Sequence, residues 1–375
     1  MRKKPRVLSA IACNADPDVL SAAFPLLEAG EVEALEWSFD ALIGEMPDWF
    51  ATLLGAYGEQ GRLVGHGVYF SLLSGQWTSE QQQWLHDLSQ VAARFSFDHV
   101  TEHFGFFTGE NFHAGAPLPV PCSAATLRLG RDRLRRIQEA SRCPVGLENL
   151  ALAYSLDDVQ QQGTFLDQLL EPVNGFLILD LHNLYCQLHN FAVAPEALID
   201  SYPLDRVREI HISGGSWEAS AQAPRGQVRR DTHDGAVPEE VFQLLERTMP
   251  RCPHLKYVVL EQLGTALKTE RRRAQFRQDF RRMARLVQQH DTASTSSSVR
   301  QFLPLHPLPS GPAVVDETLH GQQRQLSRIL EAAPTLDEAQ RLLHASSLAH
   351  TEWQLENWTP YMLDTARRIA QKWKR

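Results

Sequence analysis

The feature that most constrains the fold is an alternation of short apolar runs with longer stretches of helical periodicity, over roughly 280 residues. Nearly continuous apolar runs such as 176–179 (Phe-Leu-Ile-Leu) are typical of parallel strands that are buried on both faces. Eight short runs are interpreted as strands: Arg6–Ile11, Ala34–Phe39, Leu63–Val68, Phe97–His103, Pro144–Leu150, Gly175–Leu181, Val207–Ile212 and Leu255–Glu261. Eight strand–helix units favour an α/β fold closed into a (β/α)8 TIM barrel.

An open doubly wound sheet is the alternative arrangement of the same units. It is disfavoured because Ala12–Asp16 follows the first run, where a dinucleotide-binding sheet carries a glycine-rich turn. Helical periodicity predicts these helices between the strands: Met46–Gln60, Ser79–Phe95, Ser123–Ser141, Ser155–Leu170, Pro195–Ile199, Pro238–Met249 and Leu267–His290.

The composition changes at residue 291. Residues 291–298 are rich in Ser and Thr, and Phe302–Pro312 contains four prolines, which together indicate a linker. The sequence therefore predicts a barrel domain over residues 1–290, a linker over 291–313 and a helical C-terminal extension over 314–375. The predicted helices of the extension are Asp316–Ala332, Leu336–Ala345 and Pro360–Lys374.

Charge and cysteine content exclude several classes of protein. The formal net charge of -8 provides no positive field for a nucleic-acid backbone, so no nucleic-acid partner is expected. No apolar run approaches the roughly 18–20 residues that cross a bilayer, and no membrane partner is expected. The five cysteines are scattered without a CxxC pair, which argues against a disulfide framework and predicts a cytoplasmic protein.

Six predicted strands carry an ionisable residue near their carboxyl ends: His66, His103, Glu148, Asp180, His211 and Glu261. In a barrel these positions form one ring at one mouth, and the loop after the seventh strand adds Asp231 and His233. Charged groups beside apolar residues are costly unless they are paired or bound to metal. Histidine with carboxylates and without cysteine points to Fe, Mn, Zn or Co, and these residues are too many for one ion.

Several segments occur in the order and spacing of a known family. They are Gly65–Val68, Glu102-His103, Leu147–Asn149, Asp180 with Asn183, Ile210–Gly214 and Asp231–Asp234. The chain resembles the multinuclear non-haem iron-dependent oxidative enzymes, which include the iron subunit of methanobactin biosynthesis and TglH-like peptide-modifying oxygenases. The resemblance covers about residues 30–285, and Ile210–Gly214 and Asp231–Asp234 are its most specific parts.

The resemblance implies a TIM-barrel oxidoreductase that uses O2 to modify a ribosomally made precursor peptide at a cysteine or C-terminal residue. It implies two or three iron ions in mixed Fe(II)/Fe(III) states, and leaves open a small leader-binding partner protein. The implied catalytic residues are Glu148, His211 and Asp231.

The resemblance also implies how the metal ligands are shared. Glu148 would bridge two ions. Asp180, His211 and Glu261 would complete one site, and His66 and His103 would hold a second ion with Glu148. Asn183, Asp231 and His233 would hold a third.

The chain departs from the family pattern in two places. The segment Glu102–Gly109 is one residue longer than usual, and Gln262-Leu263 follow Glu261 where a charged pair is normal. Two other functions remain open on the residues alone: a divalent-metal sugar isomerase, epimerase or endonuclease-like barrel, and a non-catalytic peptide-binding scaffold. His182 and His189 are expected to be solvated loop residues.

Overall fold

Eight parallel strands form a closed barrel in the computed structural model, which describes residues 6–42, 46–109, 115–293, 301–305 and 311–374. The barrel strands are β1 Leu8–Ala12, β2 Ala34–Trp37, β3 Leu63–Gly67, β4 Val100–His103, β5 Val145–Glu148, β6 Phe176–Asp180, β7 Val207–Ile212 and β8 Tyr257–Leu260. Leu8 pairs with Tyr257, so the first and last strands close the sheet. The predicted (β/α)8 TIM barrel is confirmed.

The period-two alternation of the strands explains why the polar ring lies inside the barrel. Small and apolar inward residues, including Ala10, Ala34, Val64 and Val259, pack together in the middle of the barrel. Two residues further along β2 and β3, the same faces carry Glu36 and His66. These strands therefore pass from an apolar interior to a polar carboxyl end.

The helices of the barrel surround the sheet. They are α1 Pro17–Glu28, α2 Asp48–Gly58, α3 Ser79–Phe95, α4 Ala124–Ser141, α5 Leu156–Leu170, α6 Leu181–Phe191, α7 Pro195–Asp200, α8 Glu239–Thr248 and α9 Glu270–Ala293. Two of them, α1 and α6, were not predicted. The α1 signal was present, because Asp16 caps the helix by accepting from the Asp18 and Val19 amides and Pro17 occupies its first turn.

Helix α6 starts directly after β6, with no intervening loop. The Asp180 carboxylate caps it and accepts a hydrogen bond from the Asn183 amide at 2.5 Å. The predicted strand Gly175–Leu181 is wrong at its end, since Leu181 is already helical. Asp180 and Asn183 are consequently fixed by one helix N-terminus.

The C-terminal extension consists of α10 Glu317–Ala332, α11 Leu336–His344 and α12 Pro360–Trp373, which confirms its predicted helical character. It packs on the loops at the carboxyl ends of the strands. Tyr154 and Trp358 stack with ring centroids 3.8 Å apart, and Trp353 meets Phe106 edge-on at 6.3 Å. The domain boundaries at residues 290 and 313 stay a prediction.

The predicted linker contains a deeply buried residue. Residues 294–300 and 306–310 lie outside the described part of the chain, but Phe302 is fully buried against Phe176 and Ile178. The Phe302 and Phe176 ring centroids are 5.7 Å apart, and the Arg208 guanidinium lies 5.7 Å from the Phe302 ring. Phe302 therefore closes the barrel at the amino ends of its strands.

Two short hairpins extend from the loops, Phe106–Phe107 with Pro117–Leu118 and Trp217–Ala219 with Gln227–Arg229. Among the described residues, no helix has the length and apolar character needed to cross a bilayer.

Candidate metal centre

Glu148 occupies the centre of the ring at the carboxyl ends of the strands. Its Oε2 lies 3.4 Å from Nε2 of His66 and 3.4 Å from Nε2 of His103. Its other oxygen, Oε1, lies 3.7 Å from Nδ1 of His211. The two carboxylate oxygens thus face two different sets of donors, which is the geometry of a bridging ligand.

Two groups of potential ligand atoms share this carboxylate. His66, His103 and Glu148 form one group, and Glu148, Asp180, His211 and Glu261 form the other, each with its donor atoms within 4.8 Å of one another. His211 Nδ1 also lies 3.5 Å from Glu261 Oε2. The structure therefore brings together the residues of the first two predicted ligand sets.

The third predicted set is arranged differently. His233 Nε2 lies 2.8 Å from Asp231 Oδ1, and His233 Nδ1 lies 3.2 Å from Glu261 Oε1. Among the described His, Cys, Asp and Glu side chains, Asp231 and His233 fall outside the groups of three or more donors. They lie beside the second group and pair with each other and with Glu261.

The backbone of His233 is unusual in adopting a φ of 49°. Non-glycine residues rarely enter this left-handed region, although histidine enters it more readily than most, and such strain concentrates at functional sites. The loop conformation places the imidazole between the Asp231 and Glu261 carboxylates.

Buried polar atoms without hydrogen-bonding partners test whether these residues fit a metal ion. Within the described chain, Glu148 Oε2, Asp180 Oδ2, Asn183 Oδ1 and His211 Nδ1 are buried and lack such a partner. A buried polar atom without a partner lowers the stability of the fold, and several such atoms around one space are rare in native proteins. Coordination of cations would satisfy them together, so the donor set fits a multinuclear metal site.

The two histidines facing Glu148 Oε2 are oriented by contacts behind their rings. His66 Nδ1 lies 2.8 Å from the Thr101 hydroxyl oxygen, which itself donates to the Gly65 carbonyl. His103 Nδ1 lies 3.2 Å from the Gly67 carbonyl oxygen. Both contacts place the proton on Nδ1 and leave Nε2 available as a ligand, as is usual for metal-binding histidines.

Glu36 and Glu209 were missed by the sequence analysis. His211 Nε2 lies 3.0 Å from Glu36 Oε2 and 3.5 Å from Glu209 Oε1, so these acids contact the edge of His211 opposite Glu148. The three side chains form a further group of potential donors. A signal was available, because Glu36 lies near the end of β2 and Glu209 precedes His211 by two residues on the same strand face.

His182 also lies at the site, contrary to the expectation of a solvated loop residue. It is fully buried on α6, and its Nδ1 is 2.9 Å from Asp231 Oδ1. The Nε of Arg229 donates a hydrogen bond to Nε2 of His182 at 3.2 Å. Since Nε2 accepts from a guanidinium, Nδ1 carries the proton and donates to Asp231.

Burial and crowding of charges shift the pKa values in the ring. Burial raises the pKa of Glu148 well above its usual range, and burial together with Asp231 raises that of Asp180 to about 7. Burial lowers the pKa of His66, whereas that of His233 stays well above normal because Asp231 and Glu261 outweigh its burial. Several carboxyl groups therefore bind protons that a cation would displace.

The fold is that of a TIM barrel, and its candidate site consists of histidine and carboxylate groups that could hold metal ions. Over residues 31–266 the sequence matches the family described as RiPP precursor modification enzyme MbnB/TglH/ChrH, where RiPP denotes a ribosomally made and modified peptide. The chain belongs to this family, which confirms the resemblance seen in the sequence.

Curated relatives are similar over part of their length. A UPF0276 protein of Caulobacter vibrioides is 30% identical over 192 residues, covering 50% of this chain and 65% of the relative. A UPF0276 protein of Acaryochloris marina is 27% identical over 188 residues, covering 50% and 64%. The chain thus matches a little less than two thirds of the length of these relatives.

Solved structures show remote likeness. Endonuclease IV from Thermus thermophilus has a TM-score of 0.47 at 15% identity, covering 75% of this chain and 99% of that chain. A D-psicose 3-epimerase has a TM-score of 0.47 at 12% identity, covering 77% and 100%. At these values the likeness carries no information about activity.

Proposed function

We propose that this protein is an iron-dependent oxidative enzyme that uses O2 to modify a RiPP precursor peptide at a cysteine or C-terminal residue. The observation that supports it best is the position of Glu148 between two sets of donors, with its two oxygens facing different histidines. Family membership supports a precursor peptide as the substrate. The identity of the metal as iron is part of the proposal.

The proposed ligands follow from the two groups around Glu148. His66 and His103 would hold one ion with Glu148, and Asp180, His211 and Glu261 would hold a second. Asn183, Asp231 and His233 would hold a third beside it, and Glu148, His211 and Asp231 are the proposed catalytic residues. Bound iron would supply one-electron redox chemistry and activation of O2.

The exposure of the ring indicates where a substrate would approach. The side chains of His103 and Asp231 are 27% and 24% exposed, whereas those of His66 and His211 are 2% and 0% exposed. His103 and Asp231 therefore border the open side of the centre. The buried side, formed by His66 and His211, fixes geometry and excludes water.

The test is reconstitution of the full chain with Fe(II) under anaerobic conditions. We expect Mössbauer spectroscopy and elemental analysis to show more than one iron per chain, and O2 to be consumed when a precursor peptide encoded beside the gene is added. Glu148→Gln should lose most of the iron and the O2 consumption. Glu246→Gln, which changes an exposed acid on α8, is the matched control.

A protein that binds only zinc would contradict the proposal. So would an iron-loaded protein that consumes no O2 with any neighbouring precursor peptide. If Glu148→Gln bound as much iron as Glu246→Gln, the bridging role of Glu148 would be wrong.

A further inference from the structure

A cleft of about 930 Å³ lies between the barrel and the C-terminal extension. One wall is α3 with the loop that follows β3, another is the hairpin that follows β4, and the third is α10 of the extension. Side chains from all of these line the cleft: Tyr69, Ser74, Gln83, Phe107, His320 and Arg324. We call this cleft the extension groove.

The wall contributed by the extension is fixed to the barrel. The buried Gln323 side chain accepts from the Gly75 amide at 2.9 Å and donates to the Leu73 carbonyl at 2.8 Å. Asp316 donates its amide to the Gly75 carbonyl at 2.8 Å. A Cβ at Gly75 would lie 2.6 Å from the Asp316 carbonyl oxygen, so glycine permits this close approach.

Short stretches of chain connect residues of the metal centre to residues that line the extension groove. The loop after β3 follows Gly67, the residue next to His66, and lines the groove with Tyr69 and Ser74. The segment after His103 lines it with Phe107. The two histidines that face Glu148 Oε2 are therefore followed in sequence by walls of the groove, and His103 borders the open side of the centre.

A buried carboxylate in the extension groove lacks a partner on one oxygen. Asp40 lines the groove and is 7% exposed. Its Oδ2 accepts from the amides of Val68 and Tyr69 and from the Trp84 indole, which fixes the carboxylate. Its Oδ1 is itself buried and has no hydrogen-bonding partner among the described residues, so a donor bound in the groove would reach it only if the surrounding side chains shift.

The lining of the extension groove suits an extended polypeptide. Pockets for small molecules are lined mainly by apolar side chains, whereas this groove is lined largely by amides, hydroxyls and charged groups. Such groups can pair with the N–H and C=O groups of a peptide backbone. The α3 wall carries Glu80 and Asp87 and the α10 wall carries Arg324, so the two sides differ in charge.

We propose that the extension groove binds a segment of the precursor peptide in extended conformation and directs the modified residue to the His103 side of the metal centre. The C-terminal extension, which lies outside the family match at residues 31–266, is on this view a substrate-recognition element. The nature of the occupant rests on the proposed function, whereas the location rests on the groove itself.

The test uses neighbouring glutamines of α3. Gln83 lines the extension groove and Gln82 does not, so Gln83→Trp obstructs the groove and Gln82→Trp is the matched control. A random-peptide display library is selected on the full, anaerobically iron-loaded chain, and the recovered peptides are titrated against the wild type and both variants. We expect Gln83→Trp to weaken binding by about tenfold or more and Gln82→Trp to leave it unchanged.

Equal affinity of the selected peptides for Gln83→Trp and Gln82→Trp would overturn the proposal, as would recovery of no binding peptide. Unchanged thermal unfolding of both variants excludes misfolding as the cause of lost binding. Because binding is measured without O2, the result is separate from the proposed oxidation. Turnover without groove-dependent binding refutes the groove alone, and groove-dependent binding without any O2 consumption refutes the oxidation alone.

Discussion

His211 faces carboxylates with both nitrogens of its ring. Its Nδ1 faces Glu148 and Glu261, and its Nε2 lies 3.0 Å from Glu36 Oε2. Burial opposes protonation of His211, but Glu36 and the neighbouring acids raise its pKa well above normal. A carboxylate behind a metal-binding histidine fixes the ring and increases its basicity. Glu36 is therefore a positioning residue for His211.

Replacing Glu36 with glutamine tests this role. Glu36→Gln keeps the size of the side chain but removes the charge that faces His211 Nε2. We expect iron affinity to fall about 10–100-fold, with an altered Mössbauer spectrum of the remaining iron. Glu28→Gln, an exposed acid on α1, is the control. Unchanged iron affinity and spectrum in Glu36→Gln would show that Glu36 does not position His211.

The hydrogen-bonded series Arg229–His182–Asp231 leads to a second prediction at the residue scale. Arg229→Met removes the donor to His182 Nε2, so His182 can exchange tautomers and no longer always donates to Asp231. We expect activity with the precursor peptide to fall about 10–100-fold while the overall fold is retained. Circular dichroism checks the fold.

The matched control for this prediction lies on the same hairpin. Arg225→Met changes an exposed arginine that contacts His189 instead of His182. If the two methionine variants were equally active, the orientation of Asp231 would not depend on Arg229.

At the scale of elements, the predicted linker contains a buried residue, Phe302, that its amino-acid composition does not indicate. Proline-rich sequence favours extended chain, but the position of Phe302 inside the barrel depends on which apolar surface is left open at the amino ends of the strands. Phe176 and Ile178 supply that surface. Asn174 helps to hold the segment by donating to the Leu303 carbonyl at 2.9 Å.

Phe302→Ala should destabilise the barrel by about 3–5 kcal/mol, because it removes a fully buried aromatic ring and leaves a cavity. Leu305→Ala is the control, since Leu305 is 85% exposed and its loss should change the free energy of unfolding by less than about 0.5 kcal/mol. Urea unfolding followed by tryptophan fluorescence measures both values. Equal stability of the two variants would mean that Phe302 does not close the barrel.

At the scale of the whole molecule, we expect metal and protons to compete for the centre. Burial raises the folded-state pKa of Asp180 to about 7, so in metal-free protein its contribution to stability is present at low pH and is lost as the pH rises through about 7. Burial raises the pKa of Glu148 in the same direction. A bound cation would neutralise these carboxylates, so the metal-bound protein would not lose this stability as the pH rises.

We therefore expect the increase in Tm on iron binding to be larger near pH 8 than near pH 6. Anaerobic calorimetry of iron-loaded and chelator-treated protein at both pH values measures it. In the chelator-treated protein, Asp180→Asn should reduce the fall in Tm between pH 6 and pH 8, because asparagine can still cap α6 but does not titrate. A Tm increase that is the same at both pH values would contradict the competition.

Much of the fold could be predicted because the barrel is built from repeated local units. The run Phe176–Asp180 is apolar enough to identify a buried parallel strand, and Ser79–Phe95 has a helical period and directly follows its cap, Thr78. The missed helix α6 had no loop to separate it from β6, so strand and helix merged into one apolar segment. Local sequence patterns thus predicted the types of the elements better than their boundaries.

The site was predictable to the extent that its residues recur at equivalent strand ends. His66, Glu148 and His211 share that position, and the repeat of the fold brings them to one mouth. Glu36 has the same position but was hidden among apolar neighbours. His182 and Arg229 lie on separate elements, and their contact with each other depends on the packing of the second hairpin against α6.

The sequence alone determined the barrel, the helical extension and the candidate ring of ligands, because periodicity and strand-end position are local properties. Only the tertiary structure decided that Glu148 faces two sets of donors, that Glu36 lies behind His211, and that the extension forms one wall of a groove on the barrel. These depend on distances between residues far apart in the chain. Such distances are set by the closure of the barrel and by side-chain packing, which no local pattern specifies.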